Sequence, residues 1–233
     1  MFVFAHVFLG ALIGLGFWHL TRDRRALPLC IIGAILPDLL DKSLAMLLPG
    51  SFGSGRTIGH SLLFFSITVA AGILLWHYRH TLLGIAFACA TVSHQIIDGM
   101  WNVPSSWFYP LMGPFQIFII PDYIGHYFWL EVSNLSEWVF ACASLLIIAL
   151  WYLDISGHRV PPPAPGRTGT ARLAVAVMLG IVGVCLLVFG LSTIPHAFFA
   201  PTYDPVTNAM AGLVALSGTI VLMKWPGPDR VIP

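Results

Sequence analysis

The fold class this sequence predicts is an all-α integral membrane protein: a polytopic helical bundle of about seven transmembrane helices plus a re-entrant or interfacial segment. Three observations predict it. Of 233 residues, 58% are hydrophobic and only 9% are charged, whereas an ordinary soluble domain carries roughly 25% charged residues. The apolar residues are gathered into runs long enough to cross a bilayer as helices. The basic residues fall at alternate ends of those runs, as the positive-inside rule requires.

The elements follow in order. The first run, 2–20, is apolar from its first residue, and Arg22, Arg24 and Arg25 follow it rather than precede it. That order is expected of a retained first helix with its N-terminus outside, not of a cleaved signal peptide. The second run, 27–48, contains Pro37 and ends with Asp38, Asp41 and Lys42. The third, 60–77, opens on "GRTIGHS", and the fourth, 81–98, closes on "SHQIIDGMW", where Gly99 should end the helix. Residues 107–121 are apolar but interrupted by Pro110, Gly113, Pro114 and Pro121. They read as the re-entrant or interfacial segment, because non-helical backbone at membrane depth must be shielded by protein. The fifth run, 136–153, completes a membrane-embedded domain over 1–153. A Pro-rich cytoplasmic linker, 154–171, contains the stiff "PPPAPGRTG" tract. The last two runs, 172–194 and 208–224, form a C-terminal transmembrane hairpin within 172–233.

Seven spans with the N-terminus outside put Arg22, Arg24, Arg25, Arg79, Arg159, Arg167, Arg172, Lys224 and Arg230 on the cytoplasmic side, and only Lys42 and Arg56 outside. The acidic residues sort the other way: Asp38, Asp41, Asp98, Asp122, Glu131, Glu137 and Asp204 fall outside. The C-terminus is then cytoplasmic. A net charge of +1 offers no basic face to neutralise phosphates, so no nucleic-acid partner is expected. Cys30, Cys89, Cys142 and Cys185 sit singly in apolar runs without CxxC spacing and read as small buried side chains.

Ionisable residues at membrane depth are costly and are treated first as functional. His6, Asp38, Asp41, His60, His94 and Asp98 all lie near the outer ends of the first four helices. His94 and Asp98 are four apart, and Asp38 and Asp41 three apart, so each pair shares a helix face. Imidazole nitrogen and carboxylate oxygen without thiolates suit a divalent metal: zinc first, with manganese or iron as alternatives, as one ion or two. His6, Asp38, His60, His94 and Asp98 are the expected ligands, Asp41 the proton acceptor, and Arg56 the clamp for an anionic substrate oxygen. Lys42 is a lesser candidate for that clamp, and Asp122, His126 and Glu131 for a further ligand set. For His94 and Asp98 the competing reading is a hydrogen bond that only holds helices together. His19, His77, His80 and His158 read as loop or interface histidines, and His196 as structural.

These motifs carry a resemblance. An early His on the first helix, a "LPD" turn with a second Asp, "HSLL" opening a helix, then "HxxxD" and a "GPF" element resemble the YdjM family of inner-membrane metal-dependent hydrolases. A more distant similarity is to zinc-dependent phospholipase C and the catalytic domain of GPI-specific phospholipase D. The resemblance covers roughly 1–120 and implies a metal hydrolase. The family pattern His-Arg-Gly-x-Thr-His-Ser is met here by "GRTIGHS", so Gly55 stands where its first His would be.

The expected function is therefore a membrane-embedded, metal-dependent hydrolase in the cytoplasmic (inner) membrane. Its site lies near the extracytoplasmic face, and its substrate is a lipid or lipid-linked phosphoester, ester or amide, cleaved by metal-activated water. Two alternatives belong to other classes. A divalent-metal or proton transporter would spread its ionisable groups across the bilayer. A non-enzymatic scaffold would use the same cluster only to hold helices.

Overall fold

The computed structural model describes residues 3–117, 121–156, 167–191 and 204–224, with side chains from 169 onward in the third of these segments. His158, His196 and most of the expected linker lie outside the described residues. Everything regular among the described residues is helical: α1 (Val3–Thr21), α2 (Ala26–Leu47), the single turn α3 (Pro49–Phe52), α4 (Leu62–Arg79), α5 (Leu83–Ile97), a 3₁₀ turn (Met100–Asn102), the single turn α6 (Pro104–Trp107), α7 (Tyr123–Val132), α8 (Leu135–Ile155), α9 (Arg167–Gly190) and α10 (Pro205–Lys224). The seven long helices coincide with the seven apolar runs.

Five of those helices, α1, α4, α8, α9 and α10, are long and apolar enough to cross a membrane. The other two expected spans differ for a physical reason. α2 has 22 residues but carries Asp38, Asp41 and Lys42, and α5 has only 15. Both are the helices that hold the ionisable cluster. Leu74, Leu145 and Val184 are among the large apolar side chains more than half exposed, as lipid-facing positions are and water-facing ones rarely are.

The chain divides into two compact units, the first comprising Leu9–Ser133 with Met1, the second Phe2–Phe8 with Asn134–Pro233. In the first, α1 and α2 form a hairpin whose helices come into backbone contact. A Cβ on Gly10 would lie 2.8 Å from the Cys30 carbonyl, and one on Gly14 2.6 Å from Leu27 Cα. α5 packs on both α2 and α4. A Cβ on Gly84 would sit 2.7 Å from Gly72 Cα, so α4 and α5 touch along a small-residue seam. In the turn before α2, Arg25 grips Asp23 at 2.8 Å and holds that carboxyl below the usual carboxylate range.

In the second unit α8 packs on α9, and α9 on α10. Phe8 meets Phe140 at 5.5 Å between ring centroids, and the Phe4 amide donates to Glu137 Oε2 at 2.8 Å. α8 thus groups with the C-terminal helices in the second unit. Of the interrupted segment 107–121, residues 108–117 are irregular after α6, with Tyr109 stacked on Phe115 at 4.2 Å, and 118–120 lie outside the described residues. α7 follows it, a helix that the hydropathy runs did not mark.

Candidate metal centre

The centre is built from the C-terminal half of α2, the end of α5 and the loop entering α4. Pro37 lies inside α2 and has no amide hydrogen, so the Gly33 carbonyl loses its ordinary partner four residues on. That carbonyl instead accepts from Thr91 Oγ1 of α5 at 3.2 Å, and the adjacent Ala34 carbonyl accepts from His94 Nδ1 at 2.6 Å. Thr91 and His94 are three apart on one face of α5, so a break in the α2 ladder becomes the anchor for His94. α5 then ends at Asp98, and Gly99 adopts the left-handed conformation at φ 62° that stops the helix.

The loop before α4 wraps around Asp41. The backbone amides of Thr57, Gly59 and His60 donate to this carboxylate at 2.6, 2.8 and 3.2 Å, and His60 Nδ1 donates to Oδ2 at 2.7 Å. Gly59 is required because a Cβ there would lie 2.9 Å from both Pro37 Cα and the Pro37 carbonyl. Gln95 staples the same loop to α5, donating to the Gly59 and Ser61 carbonyls at 3.2 and 3.1 Å while its Oε1 accepts from Trp107 Nε1. Ser61 then caps α4 by accepting from the Phe64 amide.

Both imidazoles are thus committed at Nδ1 as donors, and both turn Nε2 inward. His60 Nε2 and His94 Nε2 are 3.0 Å apart. Asp38 Oδ1 lies 3.6 Å from the first and 3.8 Å from the second; Asp98 Oδ2 lies 3.4 and 3.8 Å from them. All four residues are buried, and their converging atoms lie within 4.8 Å of one another. Metal–ligand bonds of about 2.0–2.2 Å set tetrahedral edges of roughly 3.3–3.6 Å, and the five measured edges bracket that range. Neutral imidazoles with protonated Nδ1 and ionised carboxylates present only lone pairs to this space. Asp38 Oδ1 has no hydrogen-bond donor among the described residues. With both imidazoles neutral, four acceptors face each other in a buried space, and that donor set fits a divalent metal.

Two half-exposed cations rim the group. Lys42 Nζ binds Asp38 Oδ2 at 2.7 Å, and Arg56 Nη2 approaches Asp98 Oδ2 at 3.5 Å. Three carboxylates (Asp38, Asp41, Asp98) against these two cations leave the cluster at −1, and a divalent cation brings it to +1. Ser106 Oγ donates to the Arg56 carbonyl at 2.7 Å and holds that residue's backbone. α7 covers the same region with two tyrosines. The Tyr127 ring lies 5.6 Å from Lys42 Nζ, and Tyr123 packs edge-on against it at 4.7 Å. Burial raises both phenols above their usual pKa, so they remain neutral donors.

Of the residues expected from sequence, Asp38, His60, His94 and Asp98 come together, with Arg56 and Lys42 beside them. Asp41 does not face the centre. Four donors occupy its carboxylate, among them His60 Nδ1, whose ring that bond orients. His6 is buried in the second unit, on the turn of α1 next to the Phe4–Glu137 contact, and is not in the group. Asp122 caps α7 by accepting from the Gly125 amide at 3.1 Å, His126 is exposed beside Tyr127, and Glu131 is half-exposed; none belongs to the metal-holding group. Thr91, Gln95, Tyr123 and Tyr127 escaped sequence reasoning. The signal for Thr91 and Gln95 was their place on the His94 face of a short apolar helix.

A family model described as YdjM inner membrane protein matches residues 1–197. This chain belongs to the YdjM inner membrane protein family. The YdjM match contains every residue of the centre and its rim, and it continues through α8 and α9, well past the motifs that first suggested it. Membership and the five long apolar helices fit a membrane protein. No curated protein and no solved structure matches it.

Proposed function

We propose that the chain is a membrane-embedded metal-dependent hydrolase acting on a phosphoester of a lipid or lipid-linked substrate. The observation that carries this reading is the convergence of His60 Nε2, His94 Nε2, Asp38 Oδ1 and Asp98 Oδ2 as four buried acceptors at tetrahedral spacing. A divalent ion held there, zinc first, supplies Lewis-acid polarisation of water and of the scissile group's oxygen. The rest falls to the protein. Asp41 and the Ala34 carbonyl fix the two imidazoles in the tautomer that leaves Nε2 free. With Asp41 occupied, Asp38 or Asp98, the carboxylates that face the centre, would take up the proton of the attacking water. Arg56, partly exposed at the rim, binds the anionic oxygen of the substrate.

The same proposal includes the topology. α2 and α5 complete seven spans, their charged ends shielded within the bundle, with the N-terminus outside, the C-terminus cytoplasmic and the centre near the extracytoplasmic face. The distribution of basic residues supports that orientation. A site at this level receives substrate from the bilayer, which favours lipids.

Purified protein in detergent, assayed for metal content and for hydrolysis of phospholipids, tests the reading. Wild-type protein should carry a divalent metal and cleave a phosphoester, and His94→Ala should lose both. Metal-free wild-type protein that hydrolyses lipid at the full rate would sink it.

A further inference from the structure

Tyr123 is unlike the other aromatic residues of α7. Its hydroxyl oxygen is buried and has no hydrogen-bond partner among the described residues. An unpaired buried hydroxyl is costly, so its position calls for a partner. Lipid anchoring does not supply one, because an anchoring tyrosine places its hydroxyl in the wet interface.

The position of the hydroxyl is specific. It occupies the space directly over Gly55, where a Cβ would overlap it, and Gly55 holds a left-handed conformation at φ 63°. The next residue is Arg56, whose guanidinium reaches Asp98 of the centre. The phenol lies within electrostatic reach of Asp38, Asp41 and Arg56. Tyr127 fixes it from the side by the edge-on contact and is itself seated on Lys42, the partner of Asp38. A neutral O–H donor, a guanidinium and an ammonium are therefore gathered beside a centre that carries net positive charge once a divalent ion is present.

We propose that the Tyr123 hydroxyl is a substrate-binding group that donates to a non-bridging oxygen of a tetrahedral phosphoryl group, alongside Arg56. Gly55 is the residue that makes room for it. The inference rests on the hydrolase reading above and deepens it, since a phosphoryl group offers several acceptor oxygens to several donors at once where a carboxylic ester offers one carbonyl. No proton leaves Tyr123, and the phenol acts only as a donor.

The test uses the full chain loaded with zinc, in two arms. Inorganic phosphate reads the phosphoryl contact alone; phosphatidic acid in phosphatidylcholine nanodiscs reads it within a lipid headgroup. Tyr123→Phe removes the hydroxyl and keeps the ring. Its phosphoryl affinity should fall about tenfold, the usual worth of one hydrogen bond to a charged group, while zinc content and thermal midpoint stay at wild-type values. The arm with the tighter wild-type binding identifies the source of the ligand. Gly55→Ala should reproduce the loss by displacing the phenol. Failure of wild-type protein to hold zinc would reject the hydrolase reading itself. With zinc bound, equal phosphoryl affinity of wild type and Tyr123→Phe in both arms, absence of binding included, overturns the role of Tyr123.

Discussion

Asp41→Asn separates a positioning carboxylate from a proton acceptor. The substitution conserves size and removes the charge. Asp41 Oδ2 accepts from Thr57 N, His60 N and His60 Nδ1, and Oδ1 accepts from Gly59 N. An asparagine that turns its oxygen toward the first three sets its NH₂ against the Gly59 amide, donor against donor. The opposite rotamer sets it against three donors, so the first will be adopted. One buried amide then goes unsatisfied, at about 1–3 kcal/mol, and the bond to His60 falls from charge-assisted to neutral, a loss of about 1 kcal/mol. The total, about 2–4 kcal/mol, appears partly as a lower thermal midpoint and partly as weaker metal binding. Loss of an outer-shell partner of this kind typically weakens metal affinity about 10–100-fold. Zinc affinity measured by chelator competition in detergent reads this directly. A variant that binds zinc within twofold of wild type but has lost hydrolysis would show that Asp41 is the proton acceptor after all, and the positioning account would be refuted.

Three further perturbations probe the framework. Gly59→Ala forces a Cβ to within 2.9 Å of the Pro37 backbone and 3.2 Å of Asp41 Oδ1; destabilisation of about 1–3 kcal/mol, the usual cost of overpacking, should appear as a lowered thermal midpoint. Gln95→Leu removes the donor to two buried carbonyls and the acceptor for Trp107; about 2 kcal/mol of stability should go with it, and Trp107 fluorescence should shift. Pro37→Ala restores an amide that competes with Thr91 for the Gly33 carbonyl; zinc affinity should fall several-fold even though alanine is the better helix former by about 3 kcal/mol, and an unchanged affinity would show that the break in α2 does not position His94.

Position along a helix is legible in the sequence, and azimuth is not. Hydropathy located the seven long helices of the described residues to within a few residues, and five of them are long and apolar enough to cross a membrane. It also put His6 at the same level as Asp38, His60, His94 and Asp98. Only the packing of the first turn of α1 with α8 shows that His6 belongs to the other unit. The surroundings of Asp41 were not legible, because its helix face is shared with Asp38, while the loop that folds back on it contributes backbone amides, which no residue identity reveals. α7 was hidden for another reason. Its tyrosines resemble the aromatic belt of any membrane protein, and the seat of the Tyr123 hydroxyl depends on a bare backbone at Gly55, 68 positions earlier. The pair His94 and Asp98 needed least help, since four-residue spacing on a helix fixes their common face whatever surrounds them.

Elemental analysis of the purified full-length protein tests the central claim most directly, beside His60→Ala and His94→Ala. Four inward acceptors at tetrahedral spacing predict one divalent ion per chain in wild-type protein and a thermal midpoint that falls on chelation. Both variants should lose that ion. A wild-type protein that holds no ion after loading with zinc, manganese or iron, and whose midpoint is indifferent to chelator, would contradict the account.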